Sequence, residues 1–546
     1  MAELVHKTIG QLLAEQTKKN PNHEALVYAD RGLRMTYQQF NEQCRLVAKG
    51  LMSLGIEKGE NISVWTSNVP EWVQLQFASG YMGAPIVTVN TNYRQSELEY
   101  LLKQSDTTTL ILMPQYRDHA FIDTVKALCP ELEDSEPGNL QSKRLPLLKR
   151  VIVIGDYEGS GVLTWDDLLI GAQKISDAAL DERHATLHYD DVINIQYTSG
   201  TTGFPKGVML THFNLVNNAM NIAECMNLTQ EDRLCIPVPF FHCFGCVIGT
   251  LAITSVGGTM LPVQEFSPDA VMAIIEQEKC TAVHGVPTMF ISKLNSPNFS
   301  NYDLSSLRTG VMAGSTCPVE VMKSVIDKMG MTDITICYGQ TESSPVITQT
   351  RVDDDFTAKV ETVGRALPNL EVKIVVPGTN DEAPRNTQGE LCTRGYHVMK
   401  GYYNNPEETA NVIDDDGWLH TGDLATMDEQ GFVRVTGRLK DMVIRGGENI
   451  YPREIEEFLY THPKVFDVQV AGVPDEKYGE EVVAWIIPRP GEQLTEQEVR
   501  AYCQDKISRY KIPRYIKFLE EYPMTASGKI QKFKLRDAFI SQNMGG

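Results

Sequence analysis

Tyr197-Thr198-Ser199-Gly200-Thr201-Thr202-Gly203-Phe204-Pro205-Lys206-Gly207 crowds hydroxyls, glycines and one lysine into a single short stretch. Glycines admit the positive φ angles that turn successive N–H groups into one concavity, and Ser and Thr hydroxyls add donors between them. Lys206 supplies a positive charge, so the stretch reads as a loop that grips a polyphosphate. Gly207 stands where a Walker A loop places Ser or Thr for magnesium, which argues against a kinase-type or GTPase-type loop. The competing reading is a flexible surface linker. Context favours phosphate, because Asn194-Ile195 reads as the end of a strand and Leu215 onward as a helix, and ligands bind at strand ends of α/β sheets.

Outward from the loop, the 546 residues exceed one ordinary core, and about 100–200 residues per domain gives three or four folding units. Hydrophobic residues at 42% and charged residues at 22% are those of a soluble globular chain. A net charge of −21 argues against a nucleic-acid partner. The 11 cysteines are scattered without a disulfide framework, and Met1-Ala2-Glu3-Leu4-Val5-His6 lacks the basic and apolar regions of a signal peptide, so a cytoplasmic location is expected. The longest weakly polar run, Cys246 to Gly258, is broken by Gly249, Thr250, Thr254 and Ser255 and falls short of the roughly 20 apolar residues of a membrane helix. No membrane span is expected.

The first part alternates helical periodicity, as in Phe40 to Leu54 with Val47, Leu51 and Leu54 on one face, with apolar strands such as Ile62-Ser63-Val64-Trp65 and Ile86-Val87-Thr88-Val89. That alternation means α/β layering. Glu131 to Arg144 is polar and aperiodic, a surface excursion before strand-like Val151-Ile152-Val153-Ile154. Near Gly364 the texture shifts to short β-rich pieces, Val372 to Val376, Gly389 to Cys392 and Gly431 to Val435, which suggest a small β-barrel-like subdomain over about 364–437. After Gly437-Arg438-Leu439-Lys440-Asp441 a final unit of about 100 residues begins. Its Thr495-Glu496-Gln497-Glu498 forms a capping box opening a helix through Cys503, and Val482 to Ile487 reads as a strand. The expected architecture is a large α/β N-terminal domain of layered sheets, residues 1–439, and a small mobile α+β C-terminal domain, residues 440–546.

Four further clusters carry chemistry. Tyr338-Gly339-Gln340-Thr341-Glu342 sets an aromatic face four positions before a carboxylate, suited to stacking an adenine on Tyr338 and holding a hard cation at Glu342, although a Tyr and a Glu beside a turn are often structural. In Thr421-Gly422-Asp423 the carboxylate is placed to accept from both ribose hydroxyls, and Arg438 adds donors for the sugar or a phosphate. Pro523-Met524-Thr525-Ala526-Ser527-Gly528-Lys529-Ile530 sets a lysine in a small-residue loop; a solvated lysine is the ordinary alternative. Cys243-Phe244-Gly245-Cys246 is formally a CxxC, but one pair cannot complete a tetrahedral metal site, so pocket lining is favoured over zinc or redox chemistry.

In this order the glycine loop, YGQTE, TGD, GRLKD and PMTASGK resemble the adenylate-forming superfamily of acyl-CoA synthetases, luciferases and peptide-synthetase adenylation domains. The resemblance runs from about Thr36-Tyr37 to Lys529 and is nearest to medium-chain fatty acyl-CoA synthetases. It implies an ATP-dependent acid:CoA ligase with ATP and CoA as co-substrates and Mg2+ as cofactor. Nucleotide contacts are implied for Thr198 to Lys206, Gly314, Ser315, Tyr338, Gly339, Thr341, Asp423, Arg438 and Lys529, with catalytic charge at Lys529, Glu342 and Lys206 and metal ligation at Glu342 and Thr201. It also implies acyl-pocket walls near Phe240-Phe241-His242-Cys243-Phe244-Gly245 and from Val311 through Gly314 to Thr316, with His242 either contacting the acyl carboxylate or serving as a hydrogen-bonded wall. Lys440 matches the hinge about which the small domain swings between half-reactions, and Arg445-Gly446-Gly447-Glu448-Asn449 would line a pantetheine tunnel, an ordinary turn being the alternative. No carboxylate lies between Phe241 and Gly245 to pair an α-ammonium group, which favours an unsubstituted fatty or aromatic acid. A carrier-protein thiol is the alternative acceptor, a non-catalytic nucleotide-binding protein the reading from another class, and a homodimer a candidate assembly.

Overall fold

The computed structural model describes residues 3–198, 205–315, 317–445, 448–504, 506–525 and 529–543, apart from the side chains of Lys440, Glu448 and Asn449. Two large sheets form the body. In the eight-stranded sheet, Ile62–Trp65, Ile86–Thr88, Thr109–Leu112, Arg150–Val153 and Leu163–Thr164 run parallel, and Val192–Thr198 joins them parallel to Ile86–Thr88. In the nine-stranded sheet, Arg233–Ile236, Thr259–Pro262, Ala282–Val283, Thr309–Met312 and Asp333–Gly339 are likewise parallel, with antiparallel strands Val346–Gln349 and Leu33–Thr36 added toward its two ends. Parallel strands covered on both faces lack polar alternation, as the fully buried Ile62–Trp65 and Thr309–Met312 show.

The helix Pro70–Met82 is buried on every side except at Glu71, because it lies within the main core. Tyr37–Ser53 opens with a capping box from Thr36 and Gln39 and turns Phe40, Cys44, Val47 and Leu51 inward. The apolar run after Cys243 folds as a π-helix, Phe244–Leu251, followed by Ala252–Val256, and Phe244–Leu251 is wholly buried. Gly245 permits that packing, since a Cβ there would stand 2.3 Å from the Pro239 carbonyl oxygen. Among the described residues no helix is long and apolar enough to cross a membrane.

Two expectations change. The glycine loop does not lead from a strand directly into a helix. Val192–Thr198 runs to the loop, the chain returns antiparallel as Lys206–Thr211 with Thr198 opposite Lys206, and only then does the helix His212–Cys225 start, capped by Thr211. Val208 and Leu210, pointing inward on the return strand, are the cause. The barrel-like unit is an open four-stranded antiparallel sheet, ordered Leu370–Val375, Gly389–Gly395, Leu419–Met427 and Val433–Arg438.

Beyond Arg438 a single 3-10 turn, Leu439–Asp441, leads to another sheet. There Val465–Asp475 and Gly479–Pro488 form a long hairpin, flanked by Val443–Arg445 and by Tyr515–Phe518, with its own core of Val443, Ile455, Leu459, Val468, Val470, Val482 and Ile516. Thr495 and Glu498 form the expected capping box on Glu496–Cys503.

Candidate functional site

The site gathers the ends of several strands. Asp333–Gly339 delivers Tyr338 and then turns so tightly that a Cβ on Gly339 would stand 1.9 Å from the Pro345 carbonyl oxygen; only glycine fits. The 3-10 turn Thr341–Ser343 follows and presents Glu342. The Tyr338 hydroxyl donates to Asp423 Oδ2 at 2.7 Å, and Arg438 Nε pairs with Asp423 Oδ1 at 3.1 Å. Asp423 and Arg438 face each other across adjacent strands, so sheet register brings them together. Burial, reinforced by the Asp423 carboxylate, pushes the Tyr338 phenol well above its ordinary range and keeps it a donor.

The turn carrying Asp423 is braced from below. Gly422, at φ +71°, donates its N–H to Glu390 Oε1 at 3.0 Å, and Thr421 donates its hydroxyl to the Leu391 carbonyl at 2.7 Å. His420 Nδ1 lies 3.1 Å from Glu390 Oε2. Glu390, Cys392 and His420 have donor atoms within 4.8 Å of one another, compact enough for an ion, yet Glu390 is already spent on His420 and the turn. We read this cluster as the brace of Asp423.

Lys529 enters the same space. A Cβ on Gly314, itself at φ +89°, would come within 3.9 Å of Lys529 Cε. Burial and the Arg438 guanidinium lower the Lys529 pKa, while Asp423, Glu342 and Cys243 act in the opposite sense. The lysine is anchored locally: its N–H donates to Thr525 Oγ1 at 3.0 Å and its carbonyl accepts from the Thr525 N–H at 2.7 Å. Residues roughly 90 to 290 positions away in the chain thus lie around one ammonium.

His242 is pushed down to about 3 by burial and by Lys529, so it is neutral near pH 7. Its Nδ1 accepts the Phe244 N–H at 3.2 Å, which leaves Nε2–H as the donor. Phe241 beside it is half-buried. Val311 is buried, and its N–H donates to His284 Nδ1 at 3.1 Å while His284 Nε2 bonds the Ile248 carbonyl at 3.0 Å, tying that strand to the π-helix. Cys243 donates to Gln196 Oε1 at 3.1 Å and Gln196 donates to Cys246 Sγ at 3.2 Å, so both thiols line a wall around one amide.

Lys206 sits at the mouth of the hairpin, paired with Glu408 Oε2 at 2.8 Å, and its Nζ lies 4.5 Å from the centre of the Tyr402 ring. Tyr402 donates its hydroxyl to Glu342 Oε1 at 2.8 Å. Tyr402, Glu408, Glu390 and His420 are missing from the sequence reading. Gly401-Tyr402-Tyr403 is apolar enough to pass for core, and nothing nearby in sequence marks it. Thr198 and Pro205 flank the loop, Thr341 is buried in its turn, and Ser315 is exposed beside Gly314. Ser199 to Phe204, including the proposed metal ligand Thr201, lie outside the described residues, as do Thr316, Gly446, Gly447, Ala526 to Gly528 and the side chains of Lys440 and Glu448. The strands on either side of Gly446 pair with each other, and Arg445 bonds Glu481 at 2.6 Å within the small unit, so no described contact joins this hairpin to the Lys529 group.

The donor set fits a magnesium ion at Glu342: one carboxylate oxygen is held by Tyr402, and a hard oxygen donor remains on a half-buried side chain.

Proteins of known family resemble this chain along nearly its whole length. The AMP-binding enzyme family matches residues 13–403, and the AMP-binding enzyme C-terminal domain matches residues 454–529. YngI of Bacillus subtilis, which carries the name of an acyl-CoA synthetase, is 62% identical over 99% of this chain and 98% of its own length. A mitochondrial medium-chain acyl-CoA ligase of Bos taurus is 43% identical over 98% of this chain and 88% of its own. Among solved structures, the anthranilate CoA ligase AuaEII in complex with anthranoyl-AMP superposes with a TM-score of 0.86 at 27% identity, covering 98% of both chains. ATP-bound MatB from Rhodopseudomonas palustris superposes with 0.83 and its apo form with 0.74, each at 28% identity over 97% of this chain and 99% of that one. Sequence and coverage being equal in the last two, the difference lies in conformation, and this chain is closer to the ATP-bound form. Family models that match residues 13–403 and 454–529, and relatives matched nearly end to end, show that this protein belongs to the AMP-binding, adenylate-forming family and is an AMP-forming acid–thiol ligase.

Proposed function

We propose that the protein activates a medium-chain fatty acid with ATP and transfers the acyl group to CoA. The observation that carries the reading is that Lys529 lies against Gly314 and within electrostatic reach of Asp423, Glu342 and Arg438. In the first half-reaction a carboxylate oxygen attacks the α-phosphorus in line, the bond to the β-phosphate breaks and pyrophosphate leaves. Lys529 meets charge developing on the reacting oxygens, Tyr338 stacks on the adenine, and Asp423, aligned by Tyr338 and Arg438, accepts from the ribose hydroxyls. Magnesium at Glu342 would supply further charge neutralisation for the phosphates. Neutral His242 offers Nε2–H to the acyl carboxylate. In the second half-reaction the thiolate of CoA attacks the acyl carbonyl carbon and AMP departs. Rotation about Lys440 brings the hairpin at Gly446, Gly447 and Glu448 to the site for this step.

A medium-chain acid is supported by the relative of that name at 43% identity and by a pocket wall without a carboxylate from Phe241 to Gly245. The second reading is an aromatic acid, favoured by the likeness to the anthranilate ligase. The test is AMP release with purified protein, ATP, Mg2+ and straight-chain, branched, aromatic and amino acids, with and without CoA. Thioester and AMP peaking at medium straight chains support the proposal. A maximum at benzoate-like acids replaces it with the second reading, and acid-dependent pyrophosphate exchange without CoA turnover moves the acceptor to a carrier-protein thiol.

A further inference from the structure

Tyr402 stands between two groups of opposite charge that must not neutralise each other. Its hydroxyl donates to Glu342 Oε1 at 2.8 Å, and the face of its ring carries Lys206 Nζ at 4.5 Å from the centroid. The side chain is 5% exposed, and its backbone is tied on both sides. Tyr402 pairs with Val208 on the return strand of the glycine-loop hairpin, the Tyr403 N–H donates to the Gly207 carbonyl at 2.7 Å, and the Met399 N–H donates to the Glu342 carbonyl at 2.9 Å. One short segment therefore joins the hairpin that ends in Lys206 to the turn that presents Glu342. Resting on the functional reading above, we propose that Tyr402 is a positioning residue for adenylation, aiming the Glu342 carboxylate at the metal–phosphate site while holding Lys206 apart from it.

The chemistry follows from the two contacts. A hydroxyl donor on Oε1 spends that oxygen and orients the other toward a cation. The ring attracts the ammonium through its quadrupole, and an aromatic ring cannot neutralise it as a carboxylate would. Lys206 has one ionic partner already, Glu408 at 2.8 Å on the helix Pro406–Val412, and the Tyr402 N–H donates to Thr409 Oγ1 on that same helix at 2.9 Å. Without the ring, Lys206 loses the aromatic face that holds its ammonium and Glu342 loses the donor that fixes its carboxylate, and a pairing of the two would withdraw a cation from the phosphates and an oxygen from the metal.

The test reads metal binding rather than turnover. Binding of Mn2+ to full-length protein saturated with a non-hydrolysable ATP analogue is followed by electron paramagnetic resonance, and analogue affinity is measured separately in EDTA. Tyr402→Phe keeps the ring and loses the hydroxyl, so Mn2+ affinity is expected to fall about tenfold, the scale of one hydrogen bond to a charged group, with metal-free analogue affinity unchanged. Tyr402→Leu is expected to weaken both. In a double-mutant cycle the loss from Tyr402→Phe should largely vanish in a Glu342→Gln background, whereas a purely structural role gives additive losses. Unchanged Mn2+ affinity in a Tyr402→Phe protein of wild-type melting temperature, or additive losses, overturns the inference alone. Failure of the wild-type protein to bind Mn2+ with the analogue overturns the functional reading beneath it.

Discussion

At the scale of single residues, the decisive group is Lys529. Its pKa is lowered from the ordinary 10.5 by burial and by Arg438, so the ammonium is lost at a lower pH than in a solvated lysine. If the charged form serves adenylation, acid-dependent pyrophosphate exchange should fall on the alkaline side with an apparent pKa below 10.5, and Lys529→Arg, charged throughout, should move that limb upward. Lys529→Ala should cut pyrophosphate exchange by roughly a hundredfold or more, the scale of a lost transition-state donor, yet spare thioester formation from a supplied acyl-adenylate. Equal loss of both half-reactions removes the assigned role. Lys529, Asp423 and Glu342 stood out in the sequence because each sits in a short run of small or turn-forming residues. Tyr402 and Glu408 did not, since their partners are 60 and 202 residues away and a local pattern holds no trace of such contacts.

At the scale of elements, the 3-10 turn Leu439–Asp441 is the only structure between the strand that ends in Arg438 and the sheet that begins at Val443. A swing of the small unit would concentrate its backbone change there. Lys440→Pro locks one φ, and we expect pyrophosphate exchange within about twofold of wild type and thioester formation slowed by about a hundredfold, measured as the two half-reactions separately. Normal overall turnover defeats the hinge. Elements with chemical punctuation were legible: Thr495 with Glu498 begins its helix through the expected capping box. The return strand Lys206–Thr211 escaped notice because its apolar residues alternate for only a few positions beside a glycine-rich loop, and the π-helix Phe244–Leu251 because continuous apolarity carries no helical period.

At the scale of the whole molecule, burial has left several imidazoles uncharged. His212 and His397 are held down to about 3 and His284 to about 4, in each case chiefly by burial. An unfolded histidine titrates near 6.5. Above that value neither state is charged, and stability is complete; as pH falls below it the unfolded chain takes up protons that the folded chain refuses, down to the folded pKa. Each such group therefore withdraws about 1.4 kcal/mol of stability per pH unit below about 6.5. Melting temperature should be nearly level above pH 7 and fall steeply toward pH 4, and His212→Gln should make that fall shallower. A profile with unchanged slope in the variant contradicts neutral burial of His212. The layered α/β class, the two-part family and the ligase chemistry were determined by the sequence by itself, because strands, caps and glycine turns are written by near neighbours and the motifs keep their order along the chain. The hairpin form of the glycine loop, the open small sheet, the Glu390–His420 brace and the gathering of groups up to about 290 residues away around Lys529 came only with the tertiary structure, because each depends on register between strands and on close packing, which no local run of residues specifies.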